Sequence, residues 1–321
     1  MLHGARKLLT VCTRTGADES VLIVTDPQLQ DLAEPLALAA TEIGAEATVC
    51  LMPARTAHGQ EPPAPVAAAM AATDVFLAPV SVSITHTRAV KKAVQAGARG
   101  LVLTGFTHDM LVAGGIEADF EAQAPVCRRL AAIFEAGEKV HLTTPAGTDL
   151  RLDATGRRGN ALTCIVEAGQ FSTVPTIEAN FSPMEGSARG VIVADASIPY
   201  LDIGLLDEPV RVQVQDGFIT EIDGGAQASV LRKDLAGQRD PFVYNVAELG
   251  VGLNPQARLC GLMLEDEGVL GVVHIGIGTS ITLGGSIKAK VHYDLLIHGA
   301  TLDVDGQIVL RDGEMTSVLL P

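Results

Sequence analysis

The sequence predicts an N-terminal α/β domain with a Rossmann-like parallel sheet, followed by a β-rich domain that is mostly antiparallel and barrel-like. Three observations carry this expectation. Up to about residue 137, short apolar runs alternate with helical stretches. Beyond Lys139 helical periodicity nearly vanishes, and short strand-like segments follow one another between Gly, Asp and Pro. In that second half Asp-Gly pairs recur at 216–217, 223–224, 305–306 and 312–313, and this dipeptide favours tight hairpin turns. A length of 321 residues suits two domains of ordinary size, placed at 1–137 and 138–321.

The first strand is the β-branched run Val21-Leu-Ile-Val-Thr25, although the stretch after the N-terminal Met-Leu-His-Gly-Ala-Arg-Lys is itself strand-like. An amphipathic helix over 29–43 ends at Gly44, with Pro35 kinking it or delaying its start. Strands over 47–52, 75–80 and 100–104 alternate with helices over 66–72 and 87–96, and a helix over 121–136 closes the series. Short apolar strands interleaved with helices favour a parallel sheet covered on both faces. The second half offers strands over 140–144, 150–153, 189–194, 210–214, 218–222, 271–277, 290–296 and 301–304, interrupted by one helix over 226–236.

Composition excludes several classes of function. Hydrophobic residues make up 47% of the chain and charged residues 19%, so it can build sizeable cores. A net charge of −15 disfavours nucleic acid, whose phosphates require a basic surface. Aromatic content of 3% and the lack of Trp leave little for a base-stacking platform. The five cysteines are scattered, odd in number and without a CxxC pair, which argues against a disulfide framework or a cysteine zinc site. No apolar stretch is long enough to span a bilayer, and the N-terminus lacks the layout of a signal peptide. A cytoplasmic protein is expected. Neither GxGxxG nor GxxxxGK[ST] follows the first strand, and GxSxG is absent, so nucleotide binding and Ser-His-Asp hydrolysis lack support.

The chemistry concentrates in the last quarter of the chain. Glu248, His274, His292 and Asp294 lie within apolar, glycine-flanked runs that read as buried strands. An isolated carboxylate or imidazole in such a place is costly unless paired, hydrogen-bonded or metal-bound. His292 and Asp294 are two apart on a strand, so their side chains share a face. Two imidazoles with several carboxylates suit Zn, Co, Mn or Fe(II). Any one of these residues alone would more simply be a satisfied core or surface group; four together weaken that reading.

The runs Ala247-Glu-Leu-Gly-Val-Gly-Leu-Asn-Pro-Gln-Ala-Arg258, Leu264-Glu-Asp-Glu-Gly-Val-Leu-Gly-Val-Val-His-Ile-Gly-Ile-Gly278 and Val291-His-Tyr-Asp294 resemble the aminopeptidase T family of metallopeptidases. That resemblance implies two divalent ions held by two Glu, two His and one Asp, matched to Glu248, His274, His292 and Asp294. It also promotes Glu185, in Phe181-Ser-Pro-Met-Glu-Gly, which read alone is a routine loop acid. The family's Tyr shortly after the first metal His has no counterpart in Thr279-Ser-Ile281. Over nearly the whole chain, including Asp216-Gly-Phe-Ile-Thr-Glu-Ile-Asp-Gly-Gly225, the layout is also similar to 2,5-dihydroxypyridine 5,6-dioxygenases. That likeness implies one Fe(II) on two His and one Asp, with the first His falling where this chain has Glu248.

Weighing the ligands over the layout, the expected function is a metal-dependent hydrolase of a C–N, amide or peptide-like bond in a small substrate, using metal-activated water. A ring-cleaving Fe(II) dioxygenase of a hydroxylated N-heterocycle and a catalytically silent metal-binding protein are the alternatives. One or two ions, Zn, Co or Mn before Fe(II), a small or short peptide-like substrate and a homo-oligomer complete the expectation, with neither nucleic acid nor membrane as partner. His86, after the strand over 75–80, is the expected catalytic acid/base, facing the metals from the carboxyl end of the sheet; a helix-start His bonded to nearby backbone is the plainer reading. Glu265-Asp-Glu267 reads as a turn of solvated charges, and His298 as a neighbour of the metals or a structural residue.

Overall fold

The computed structural model describes residues 1–319. The chain divides into two compact units, one of residues 1–121 and 162–175, the other of 122–161 and 176–321. The helix Phe120–Ala136 thus falls almost wholly in the second unit, not at the end of the first as the 1–137 boundary expects. The chain then returns to the first unit at 162–175 to add the strand Phe171–Ser172. A local pattern cannot reveal such a return, because it depends on which sheet edge is open.

The first unit holds a five-stranded parallel sheet in the order Glu46–Leu51, Ser20–Thr25, Val75–Val80, Arg99–Thr104, Phe171–Ser172. Val75–Val80 is buried throughout, as expected of a strand covered on both faces. Val24, Phe76, Ala78, Val80 and Val102 pack with Val90 and Ala93 of the helix Arg88–Gln95. Thr87 caps that helix, its side chain accepting from the Val90 N–H. Pro35 sits in the first turn of the helix Ala33–Glu42, where its missing N–H costs nothing.

The strand-like run near the N-terminus is helical instead: Leu2–Lys7 continues into a wider turn over Leu8–Cys12. Ala5, Leu8, Leu9 and Cys12 are all fully buried, and their spacing is that of one helix face.

The second unit contains two large antiparallel sheets and a two-stranded one of Ser197–Ile198 and Gly204–Leu205. The eight-stranded one runs in the order Phe218–Asp223, Val210–Gln215, Arg189–Ala194, Asp149–Asp153, Lys139–Thr143, Thr301–Val304, Gln307–Arg311, Glu314–Met315. Val210–Gln215 alternates buried valines with exposed or half-buried Arg and Gln, the pattern of a sheet with one wet face. Asp216-Gly217, Asp305-Gly306 and Asp312-Gly313 have positive φ at both residues, as hairpin turns of this kind require. Asp223-Gly224 instead leads into the helix Ala226–Gly237. The other sheet has five strands in the order His292–Ile297, Val273–Gly278, Val246–Gly252, Glu178–Phe181, Asn160–Leu162. Both orders are linear, and no pairing joins their end strands among the described residues; two open sheets stand where a barrel was expected. Among the described residues, no helix is long and apolar enough to cross a membrane.

Candidate metal centre

The five-stranded sheet explains why chemistry-bearing residues sit inside strands. Its central strands are buried at every position, so neither face is open to water. Register places Gly250 opposite His274, Glu248 opposite Gly276, Gly276 opposite Asp294, Gly278 opposite His292 and Gly252 opposite Glu178. Residues directly opposite and residues two apart share a face. Glu178, Glu248, His274, His292 and Asp294 therefore emerge on one face. Ala179, Leu249, Val251, Ile275, Ile277 and Leu295, all fully buried, form the other.

The strand glycines make room for the imidazoles. A Cβ on Gly250 would stand 2.0 Å from Nε2 of His274, and one on Gly276 would stand 2.8 Å from both the His292 ring and the Glu248 Cβ. The rings lie flat over the neighbouring strand, where any side chain would collide with them.

Around this cradle the polar atoms converge. His274 Nε2 lies 3.3 Å from Glu178 Oε2 and 3.8 Å from Glu248 Oε1. His292 Nε2 lies 2.9 Å from Glu248 Oε2 and 3.5 Å from Asp294 Oδ1. Glu248 thus stands between two groups able to hold a cation, Glu178–Glu248–His274 and Glu248–His292–Asp294. His292 Nδ1 is 2.9 Å from the Thr279 carbonyl. Donation there orients the ring and turns Nε2 to the acids, where its proton bonds them in the metal-free pocket and its lone pair becomes available to an ion once that proton leaves. Asn180 Nδ2 donates to Glu178 Oε1 at 2.8 Å, and Asn160 Nδ2 donates to Asn180 Oδ1 at 2.8 Å.

Charge in this pocket is unbalanced. Three buried carboxylates face two imidazoles, and burial, together with the neighbouring acids, lifts Glu178 to about 7 against the pull of His274. Burial opposes charge on His274, but Glu178 and Glu248 outweigh it and raise the imidazole to about 9. His292 is raised well above its ordinary value by Asp294 and Glu248 in spite of burial. Asp294 and Glu248 are held below theirs by the same imidazoles, although burial works the other way. Glu178 Oε2 and Asp294 Oδ1 are buried without a hydrogen bond. Such orphaned acceptors are expensive; each lies in one of the two groups able to hold a cation, and a divalent cation there would satisfy it and offset the excess charge. The donor set fits a divalent metal ion.

Glu267 and Tyr200 form the next layer. The Tyr200 hydroxyl is 2.8 Å from Asp294 Oδ2 and 3.1 Å from Glu267 Oε1. One hydroxyl has one proton to give. Burial and the nearby acids, Asp294 foremost, raise Glu267 well above its ordinary value, which favours its protonated form beside the shared hydroxyl.

Of the residues singled out from sequence, Glu248, His274, His292 and Asp294 are brought together here, and Glu185 is not. Glu185 pairs with Arg157 and accepts from the Ser286 N–H and hydroxyl, both at 2.8 Å. Burial would raise its carboxyl, but these bonds bring it down to about 2. It fastens the turn after Phe181 to the segment after Gly284. The acid in the cluster is Glu178, seven residues earlier. Its signal was the alternation Thr176-Ile-Glu-Ala-Asn-Phe181, a carboxylate inside a half-apolar run, in a strand too short to stand out. His86 lies in the first unit, exposed, in the turn before Arg88–Gln95. His298 is exposed, just past the end of its strand.

The cluster Glu265-Asp-Glu267 is no solvated turn. Glu265 and Asp266 are buried. Asp266 accepts from the Ser197 hydroxyl and from the Cys260 and Gly261 N–H groups.

Together these features define the class: a two-unit α/β and β-rich protein with a buried carboxylate–imidazole site of the kind that takes a divalent metal. The sequence profile of the NicX family, 2,5-dihydroxypyridine 5,6-dioxygenase, matches residues 1–317. The chain belongs to this family.

A 2,5-dihydroxypyridine 5,6-dioxygenase of Pseudomonas putida KT2440 is 26% identical over 202 residues, 58% of this chain and 56% of the relative, so the alignment spans little more than half of that relative. The solved structure of 2,5-dihydroxypyridine dioxygenase from the same strain aligns over 98% of this chain and 96% of its own, with a TM-score of 0.80 at 20% identity. Wild-type AmpT from Thermus thermophilus aligns over 98% of both chains with a TM-score of 0.71 at 18% identity, a likeness of fold alone.

The family match overturns the expected metallohydrolase. That expectation took Glu248 as a carboxylate standing where a dioxygenase needs a histidine. In the structure Glu248 remains a carboxylate between the two imidazoles, so the family match over residues 1–317 is what decides against hydrolysis. The aminopeptidase resemblance is one of fold, and the peptide-like substrate goes with the hydrolase reading.

Proposed function

We propose that this protein is a ring-opening dioxygenase of a hydroxylated N-heterocycle of the 2,5-dihydroxypyridine class, acting with one Fe(II). The observation that carries the reading is that His274, His292 and Asp294 share one buried face in a chain of this family, in two acid–imidazole groups joined by Glu248. Two histidines and a carboxylate are the donor set of non-haem Fe(II) oxygenases. When bound, Fe(II) supplies the one-electron chemistry that lets molecular oxygen react with a closed-shell aromatic ring.

The protein's own part is to place and hold. His292 is oriented by the Thr279 carbonyl, and Asp294 by Tyr200. Glu178, oriented by Asn180 and lifted to about 7 in the metal-free pocket, is the carboxyl suited to hold a proton near neutrality. Walls of Val, Ile and Leu on the reverse of the sheet exclude water from that side.

The reaction balances without another reductant. The bond between ring carbons 5 and 6 breaks, carbon 5 gains one oxygen atom of O2 to become a carboxyl, and carbon 6 gains the other to become a formyl group on nitrogen.

Protein reconstituted with Fe(II) under anaerobic conditions should consume one O2 per 2,5-dihydroxypyridine on admission of air, and should place both atoms of labelled O2 in the product. Turnover that proceeds in the absence of oxygen, or a loaded protein that leaves the compound and the oxygen untouched, would overturn the reading.

A further inference from the structure

Tyr200 owes its place to a constrained turn. It follows the short strand Ser197–Ile198, and its N–H reaches back to the Ile198 carbonyl at 2.8 Å. Leu201 and Asp202 then take positive φ of 60° and 56°, a conformation that L-residues adopt at a cost and that persists where the surroundings impose it. The turn is tied down on two sides. Ala196 N–H donates to the Leu296 carbonyl at 3.2 Å, on the strand that carries Asp294, and the Ser197 hydroxyl donates to Asp266 Oδ2 at 2.6 Å, beside Glu267. The ring packs against Tyr293 at a tilt of 42°, with centroids 5.1 Å apart. The phenol therefore arrives at Asp294 as a rigid group.

Its hydroxyl engages Oδ2 and leaves Oδ1, buried and without a hydrogen bond, 3.5 Å from Nε2 of His292. With one lone pair of Oδ2 taken by the hydroxyl, Oδ1 is the oxygen left with both lone pairs open. We propose that Tyr200 is a positioning residue for the metal site: it restrains Asp294 so that Oδ1 is presented to the ion, and so sets the affinity and symmetry of that site. The inference rests on the metal-site reading above. It assigns a tyrosine from a separate, constrained turn to the outer layer of the centre.

Outer partners of metal ligands are worth roughly 10–100-fold in affinity. The experiment uses the full chain and Co(II), which reports both affinity and ligand symmetry through its visible bands. Tyr200→Phe keeps the ring and its packing against Tyr293. It should retain the thermal midpoint of the parent, bind Co(II) about 10-fold or more weakly, and show altered band intensities. Glu185→Gln, at a carboxylate tied to Arg157 and Ser286 outside the cluster, should match the parent in both readouts. His292→Ala should lose Co(II) altogether.

Wild-type affinity and bands in Tyr200→Phe, with His292→Ala empty, overturn the positioning role and leave the metal site standing. An equal disturbance in Glu185→Gln also overturns it, since the effect would then not belong to the bond with Asp294. A Tyr200→Phe protein that unfolds at the assay temperature makes the hydroxyl a determinant of folding and overturns it as well. Undiminished binding in His292→Ala removes the metal-site reading itself, and this inference with it.

Discussion

The two large sheets of the second unit follow the same alternation and use it oppositely. In the eight-stranded sheet, strands such as Val210–Gln215 and Asp149–Asp153 bury every second residue and give the others to water or the protein rim. In the five-stranded sheet, Val246–Gly252 and Val273–Gly278 alternate just as regularly, with Glu, His and Gly at every second place, yet all positions are buried. Polar residues on a wet face need no partner. Polar residues on a dry face need one each, and here the imidazoles and carboxylates become one another's partners with two acceptor oxygens left over. The difference lies in what covers the face, and it turns an ordinary amphipathic pattern into a site.

The strongest way to break this contrast is at the glycines. Gly276→Ala puts a methyl group 2.8 Å from the His292 ring and the Glu248 Cβ. It should cost about 1–3 kcal/mol in stability as overpacking does, and because it displaces the His292 ring it should weaken metal binding by roughly 100-fold, the upper end for outer-layer changes. Gly306→Ala, in a hairpin turn of the eight-stranded sheet, meets no atom within 4 Å but has φ of +84°. It should lower stability by roughly 1 kcal/mol and leave metal affinity alone. Denaturant melts and metal titrations of the two variants together decide the point, and equal effects on metal affinity would erase the contrast.

A smaller effect comes from protons. With His274 raised to about 9 and His292 well above its ordinary value, both imidazoles carry protons at neutral pH in the metal-free protein. A metal must displace them. Apparent Co(II) affinity should therefore climb as pH rises from 6 to 9, by up to about tenfold per pH unit for each proton released. A flat profile would mean that the imidazoles are already neutral.

The smallest effect is expected at Glu185, whose polar partners are a cation and a serine. Its carboxyl is at about 2 in the folded chain against an ordinary 4.5. A depressed acid stabilises above its unfolded value and loses that contribution as pH falls through the folded one. Glu185→Gln should thus reduce stability above pH 4.5, with the gap to the parent closing between pH 4.5 and 2, while metal content stays unchanged. Loss of metal in Glu185→Gln would place Glu185 back among the ligands.

Much of this could be read from the chain. The parallel strands, the hairpin turns at Asp216, Asp305 and Asp312, and the grouping of Glu248, His274, His292 and Asp294 were all legible, because alternation, turn dipeptides and short ligand spacings are local. Glu178 was hidden in a strand of four residues, and Glu185 drew attention through resemblance alone. Tyr200 and Glu267 were hidden for a different reason: each is ordinary in its own segment.

The sequence by itself determined the periodicities, and with them which residues share a face. It also carried the family membership, since the match runs through residue 317. The tertiary structure decided that the polar face of one sheet is dry, that Glu178 and not Glu185 completes the acids, and that Tyr200 stands behind Asp294. Periodicity is a property of neighbours along the chain. Burial and charge balance are set by residues a hundred positions apart, and only folding brings those together.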